Sequence, residues 1–173
     1  YIIINKDDKN ASELSGNKPD NILGVSYGTA NDSDYTIEEA ELKIHGAYDF
    51  SLYKKAASGK TIVASVSLQI PGKHNMSNAA GALAMLDQFR LPVQKAADAL
   101  RKFTGTGRRF EIHSQIEGVI IISDYGHHPT EIKTTLLAAR DKYPMHRIWA
   151  VWQPHTYSRT KLLLEQFLTA FSD

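Results

Sequence analysis

The chain has 173 residues, enough for one ordinary domain or two small ones with a real core. Hydrophobic residues make up 42% and charged residues 23%, which is typical of a globular protein and excludes a disordered one. The net charge of +1 argues against strong non-specific binding to nucleic acid or to an anionic membrane. There is no cysteine, so disulfides and thiolate sites are excluded.

The ends of the sequence predict a piece of a longer protein. No apolar run reaches transmembrane length, and the first residues lack the layout of a signal peptide. The chain begins without Met and ends directly after an amphipathic helix pattern.

The first third of the chain predicts mainly strands. Residues 2–4 form a β-branched run, and residues 22–27 form a second apolar run that ends at Gly28. Residues 9–20 are mostly polar and predict a loop or a short helix. From residue 35 to 70 apolar and polar side chains alternate, which predicts a small antiparallel sheet with one solvated face and a structural role.

After residue 70 the spacing of apolar residues changes from that of strands to that of helices. Apolar residues recur at helical spacing from 79 to 86 and again from 93 to 100, with Pro92 between them, which predicts an αα-hairpin. A glycine-rich segment at residues 104–107 ends this pattern, and we place a domain boundary there. The predicted domains are residues 1–107 and residues 108–173.

The second domain is predicted to have the order strand, helix, strand, helix. Residues 110–112 and 119–123 form a predicted hairpin, a helix follows from Pro129, and residues 148–152 form a strand. The final helix is predicted to bury four apolar side chains, Leu164, Phe167, Leu168 and Phe171. This order indicates an α/β fold with a parallel βαβ unit.

Two polar segments follow the two predicted parallel strands, at residues 124–128 and 153–160. Because ligands bind at the carboxyl ends of strands in parallel α/β sheets, we expect both segments at one edge of the sheet.

The first of these segments carries Asp124, Tyr125, His127 and His128 within five positions. The carboxylate suits a ribose hydroxyl or a metal-bound water, and the imidazoles suit an anion or a metal. The alternative is that one histidine caps the following helix and that Asp124 accepts from N–H groups of the turn. For a cluster of four we favour function. Pro129 and Glu131 suit the first turn of that helix.

Three other segments carry candidate ligand groups. Arg159 would lie in the first turn of the last helix, with Ser158 as its N-cap, where a cation suggests an anionic ligand; a solvated surface arginine is equally compatible. Asn75 and Asn78 share a face at a helix start and suit the edge of a planar base, although one of them is expected to be the N-cap. Arg109, with its neighbour at 108, suits a polyphosphate between domains.

Together and in this order, residues 71–80, 107–111, 124–131 and 153–160 resemble the Mur ligase family along essentially the whole chain. The resemblance implies an ATP- and Mg²⁺-dependent cytoplasmic ligase of peptidoglycan synthesis that joins L-alanine to UDP-N-acetylmuramate through an acyl phosphate. It implies that residues 1–107 are the end of a central ATPase domain. Residues 108–173 would then begin a Rossmann-like domain that binds the amino acid. A related ligase that recycles murein tripeptide remains an alternative.

The resemblance also implies individual roles. Asn75 and Asn78 match residues that contact adenine, Arg109 matches one near the phosphates, and Asp124 matches the aspartate that holds the ribose. His127 and Arg159 match residues that bind the carboxylate of the incoming alanine, and Tyr125 and His128 lie beside that pocket.

The 173 residues contain no G-x-x-x-x-G-K-[ST] phosphate loop, and the resemblance places the magnesium ligands upstream of Tyr1. No catalytic residue is assigned within the chain. We therefore predict that the chain alone does not catalyse ligation and, as an alternative, serves as a nucleotide-binding or partner-binding module. A metal site built from Asp124, His127, His128 and His155 is a third hypothesis, of low rank because no zinc-like spacing is present.

Overall fold

The computed structural model describes residues 1–172. Its elements are, in chain order, β1 (Ile2–Asn5), α1 (Lys9–Gly16), β2 (Gly24–Gly28), β3 (Tyr35–Leu42), β4 (Tyr48–Ala56), β5 (Gly59–Ser67), α2 (Lys73–Gln88), α3 (Val93–Leu100), β6 (Glu111–Ile116), β7 (Val119–Ser123), α4 (Pro129–Lys142), α5 (Tyr157–Leu162) and α6 (Leu164–Thr169). The α/β class predicted from the sequence is confirmed. None of the helices in residues 1–172 is both long and apolar enough to span a membrane.

The first five strands form one mixed sheet in the order β1–β2–β3–β4–β5. Strands β3, β4 and β5 are antiparallel neighbours, as predicted, whereas β1 pairs with β2, and β2 with β3, in parallel. Alternation along β4 turns Phe50 and Leu52 into the core. The alternating pattern therefore predicted the antiparallel part correctly but carried no signal that β1 and β2 extend the same sheet.

The predicted αα-hairpin is confirmed as α2 and α3, which pack on this sheet. Leu83, Ala80 and Ala84 of α2 are buried in the same core as Tyr35 and Leu52. The small residues of α2 allow close packing. A Cβ atom on Gly81 would lie only 2.8 Å from the Cζ atom of Tyr27, so this glycine leaves room for the Tyr27 ring of β2 against the helix.

The second part of the chain begins with the predicted hairpin, β6 and β7, which is a separate two-stranded antiparallel sheet. Helix α4 begins at Pro129, as the sequence predicted, and a capping box formed by His128 and Glu131 closes its first turn. Ile132 of α4 packs with Phe167 and Ala170 in a second, smaller core.

The strand predicted at residues 148–152 is not formed, so the parallel βαβ unit predicted for the second domain is absent from residues 108–172. A parallel strand pair with an intervening helix is found instead in the first part of the chain, as β1–α1–β2. A cavity of about 680 Å³ separates this segment from β7, and Val151 and Trp149 are 99% and 74% exposed. Only Trp152 packs well, stacked on Phe167 with ring centroids 4.7 Å apart. The apolar run predicted a strand, but apolarity alone does not supply the neighbouring backbone with which a strand must pair.

The final helix also differs from its prediction. It is divided at Leu163 into α5 and α6, and of the four side chains predicted to be buried only that of Phe167 is. Leu164 and Leu168 are exposed because the structure places no sheet face over that side of α6 within the described residues.

Candidate functional site

The candidate site is a cavity of about 1010 Å³ between the first part of the chain (residues 1–107) and the second part (residues 108–172). The start of α2 and the linker after α3 form one side, and β6, the end of β7 and the first turns of α4 form the other. Four residues predicted from the sequence line this cavity: Asn75, Asn78, Arg109 and Asp124. They come from three separate segments, so the fold is what brings them together.

Asn75 and Asn78 lie on one face of α2. The helix begins at Lys73 after Gly72, which has no side-chain cap, so the expectation that one of these asparagines is the N-cap is wrong. The Asn75 side-chain amide donates to the Pro71 carbonyl at 2.8 Å, and the Asn78 amide donates to Oδ1 of Asn75 at 3.2 Å. These bonds hold both amides in position at the cavity, with donor and acceptor atoms side by side.

Asp124 has both of the roles considered for it, a structural one and a place at the cavity. Its Oδ2 atom accepts from the backbone N–H of Phe110 at 2.9 Å, and its Oδ1 atom accepts from the N–H of Gly126 at 2.7 Å. These bonds orient the carboxylate towards the cavity that it lines. Because a carboxylate has about four acceptor positions, it can still accept hydroxyl groups of a ligand.

Glu131 organises the turn that precedes α4. Its Oε2 atom accepts from the N–H groups of His127 and His128, at 2.9 Å and 3.1 Å. Burial by itself would raise the pKa of Glu131, but these hydrogen bonds and the nearby positive charges outweigh burial and lower it. Its Oε1 atom lies 3.9 Å from Nη1 of Arg109, so the ionised glutamate also faces the guanidinium of the cavity.

His128 is the histidine that caps α4, as the structural alternative proposed. Its Nδ1 atom accepts from the N–H of Thr130 at 3.3 Å. His127 instead keeps its ring beside Tyr125, with ring centroids 5.2 Å apart, and the guanidinium of Arg108 lies 5.6 Å from the centroid of the Tyr125 ring. This row of three side chains is outside the lining of the cavity.

The residues predicted for a carboxylate ligand are therefore not gathered in this cavity: Tyr125, His127, His128 and Arg159 do not line it. Arg159 lies on α5, and within residues 1–172 it makes no ion pair. Ser158, predicted as the N-cap of this helix, lies inside it, because Tyr157 is the first helical residue. The expected meeting of residues 124–128 with residues 153–160 depended on the strand at 148–152, which is not formed.

The cavity also contains residues to which the sequence analysis gave no role, among them His74, Phe110 and Lys142. Burial lowers the pKa of His74; Arg109 lowers it further and Asp124 opposes both. Burial also lowers the pKa of Lys142, whose Nζ atom lies 5.8 Å from the centroid of the Phe110 ring. Because His74 is next to Asn75 in the sequence, its place at the cavity could have been predicted. Nothing in the sequence indicated that Lys142 lies there.

A metal site within this part of the protein is not supported. Among residues 1–172 no group of three or more His, Cys, Asp or Glu side chains is arranged to hold a metal ion. The hypothesis that combined Asp124, His127, His128 and His155 is therefore wrong. His128 is used as a cap, and Asp124 is held by backbone N–H groups.

The lining of the cavity combines paired amides, a carboxylate and a guanidinium with aromatic rings, which is the chemistry of a site for a polar ligand with a planar ring. Comparison with known proteins agrees with this class. Residues 1–86 match the Mur ligase middle domain, and residues 108–173 match the glutamate ligase domain of Mur ligases. The chain belongs to the Mur ligase family.

Individual relatives give the same result. The chain is 40% identical over 172 residues to UDP-N-acetylmuramate–L-alanine ligase of Clostridium acetobutylicum, a match that covers 99% of this chain and 36% of that protein. It is 39% identical over 173 residues to the ligase of the same name from Clostridium kluyveri, covering all of this chain and 36% of the relative. The chain thus spans about a third of the length of these relatives.

Solved structures confirm the fold. The structure of UDP-N-acetylmuramate-alanine ligase from Thermotoga maritima matches with a TM-score of 0.74 and 24% identity, over 98% of this chain and 35% of that one. A murein peptide ligase from Psychrobacter arcticus matches with a TM-score of 0.58 and 25% identity, over 90% of this chain and 31% of that one.

Proposed function

We propose that the chain is part of an ATP-dependent ligase that joins L-alanine to UDP-N-acetylmuramate, and that the cavity between its two parts holds the nucleotide. One observation carries this proposal: Asn75, Asn78, Arg109 and Asp124, chosen from the sequence, line the same cavity from opposite sides. The names of the relatives, at 39% and 40% identity, support the choice of substrates.

The contacts support a division of roles within the cavity. The amides of Asn75 and Asn78 would bind the edge of the adenine ring, since their donor and acceptor atoms lie side by side. The Asp124 carboxylate would accept from the ribose hydroxyls, because its orientation is held by two backbone N–H groups. Arg109 would face the phosphates.

The carboxylate of the incoming L-alanine would bind on the outer side of the same turn. His127, with Tyr125 and His128, is held there by Glu131, and Arg159 would complete the set. The domain division follows: residues 1–107 would belong to the ATP-binding domain and residues 108–173 to the amino-acid-binding domain.

Mg²⁺ would accompany ATP in the whole protein. By the resemblance to Mur ligases, its protein ligands would lie upstream of Tyr1. The chain itself would therefore bind the base and ribose of the nucleotide, orient them, and leave stabilisation of the transferred phosphoryl group to other residues.

Titration of the purified chain with a fluorescent ATP analogue tests the proposal. Replacing Asn78 with Ala removes an amide that lines the cavity, and we expect nucleotide affinity to fall about tenfold, the value of one well-placed hydrogen bond. Asn10→Ala is the matched control, because Asn10 is an exposed amide in the first turn of α1, a helix that does not line the cavity.

Equal affinities of Asn78→Ala and the unaltered chain would refute the adenine role. If the unaltered chain showed no binding at all, the nucleotide site itself would be refuted for this part of the protein.

A further inference from the structure

Helix α4 connects the nucleotide cavity to the contact between the two parts of the chain. Glu131 and Thr135, in its first two turns, line the cavity. Ala138 and Lys142 follow at helical spacing on the same face, one and two turns further along. The position of this face therefore sets how far apart the two sides of the cavity stand.

The first part of the chain meets this face with two glycines. A Cβ atom on Gly46 would lie 2.8 Å from the Cα atom of Lys142, and one on Gly72 would lie 2.9 Å from the Cβ atom of Ala138. Both glycines have a positive φ, of 75° and 98°, and the Gly72 N–H donates to the Gly46 carbonyl at 2.9 Å. The backbone of the first part is thus shaped to let α4 approach more closely than any side chain would allow.

A hydrogen bond lies beside this glycine contact. The hydroxyl of Tyr48, at the start of β4, donates to Oδ2 of Asp141 at 2.9 Å. Within residues 1–172 it is the one side-chain hydrogen bond that joins the first part to the second. Tyr48 is buried, and its burial, with the neighbouring Asp141, raises its pKa to about 12, so it remains a donor at neutral pH.

We propose that Tyr48 and Asp141 are positioning residues: their hydrogen bond, with the glycine contact beside it, holds α4 against the first part and so sets the width of the nucleotide cavity. Neither residue lines the cavity, so their effect on a ligand is indirect. The predicted effect on affinity rests on the proposed nucleotide site, whereas the effect on geometry does not.

The test uses Tyr48→Phe, which removes a single oxygen atom, in the whole 173-residue chain. Tyr53→Phe is the matched control, because the Tyr53 hydroxyl also donates to a carboxylate, that of Glu39, but within the first sheet. The chain has no cysteine, so spin labels can be attached to Ser58→Cys in the first part and Lys133→Cys on α4, both at exposed positions. Distance distributions between the labels are measured without nucleotide, and affinity for a fluorescent ATP analogue is measured separately.

We expect Tyr48→Phe to broaden or lengthen the distance distribution and to weaken nucleotide binding by up to about tenfold, because the closed arrangement is less populated. Tyr53→Phe should match the unaltered chain in both measurements. Asp141→Ala, which removes the acceptor, should resemble Tyr48→Phe, and the double variant should add little to either single one, since all three remove the same bond.

A distance distribution of Tyr48→Phe identical to that of the unaltered chain would overturn the positioning role. A second outcome separates the two proposals. If the distribution broadens in Tyr48→Phe, but neither the unaltered chain nor any variant binds nucleotide, the positioning contact is supported and the proposed nucleotide site is refuted.

Discussion

A network of polar side chains anchors the C-terminal end of α2 to the sheet, and its contribution to the stability of the fold can be tested. The hydroxyl of Tyr35, fully buried in the first core, donates to Oδ2 of Asp87, and the Gln88 amide donates to the same hydroxyl at 2.7 Å. Lys54 of β4 lies with its Nζ atom 2.7 Å from Oδ2 of Asp87. These bonds fix α2, which carries Asn75 and Asn78 at its start, to the sheet.

Replacing Asp87 with Asn keeps the shape but removes the charge. A hydrogen bond to a charged group contributes about 1.5–3 kcal/mol to stability, while a partly exposed ion pair contributes about 0.2–1 kcal/mol. The side chain of Lys54 is 43% exposed, so the contribution of its ion pair with Asp87 lies at the low end of this second range. Because the Asn amide still accepts from Tyr35, only the difference between a charged and a neutral hydrogen bond is lost together with the ion pair, and we expect a decrease of about 1.5 kcal/mol in the free energy of unfolding at neutral pH.

The pH dependence tests the same reasoning. Burial by itself would raise the pKa of Asp87, but the hydrogen bonds from Lys54 and Tyr35 outweigh it and lower the pKa. A lowered pKa in the folded state means that the stabilisation is fully present above the ordinary pKa of an aspartate. It is lost as pH falls through the lowered value. The difference between Asp87→Asn and the unaltered chain should therefore stay constant from about pH 7 to about pH 5 and shrink as pH falls below about 4.

Urea unfolding followed by far-UV circular dichroism measures these differences. Asp98→Asn is the control, because Asp98 also accepts a side-chain amide on a helix, from Gln94, but at the surface of α3. We expect this control to lose less than about 0.5 kcal/mol. Equal losses in the two variants, or a loss for Asp87→Asn that does not change with pH, would refute the account of the network.

Two further predictions concern the second part of the chain and its chemistry. Glu131→Ala leaves the N–H groups of His127 and His128 without their acceptor, and should lower the stability of the second part by about 1 kcal/mol, measured by urea unfolding with tryptophan fluorescence. The control Glu165→Ala, in the first turn of α6, should cost less, and an equal cost would contradict the capping role. The purified chain should form no amide from ATP, L-alanine and UDP-N-acetylmuramate, because its sequence has no phosphate loop; product detected by mass spectrometry would show otherwise.

Much of the local structure was predictable because it depends on neighbours in sequence. The alternation in β3–β5 and the helical spacing in α2 and α3 indicated elements that the structure contains. The signals at Pro129 and Glu131 placed the start of α4 at the correct residue. Each of these depends on interactions within a few residues, which a sequence states directly.

The prediction at residues 148–152 failed for the opposite reason. A strand exists only where another backbone can pair with it, and apolar periodicity does not say whether that partner is available. The prediction that Leu164 and Leu168 are buried was wrong for the same reason. Their packing required the face of the sheet that this strand would have extended.

The sequence by itself determined the family, the position of most elements and the residue types that line the cavity of the proposed nucleotide site, because motifs and periodicity are local. Only the tertiary structure decided which of those residues meet. It brings Asn75 and Asn78 to Arg109 and Asp124, assigns His128 to a helix cap, and leaves Arg159 outside the cavity. It also adds the contact of Tyr48 with Asp141, residues 93 positions apart, which no local pattern encodes because the hydrogen bond exists only when the first and second parts of the chain pack together.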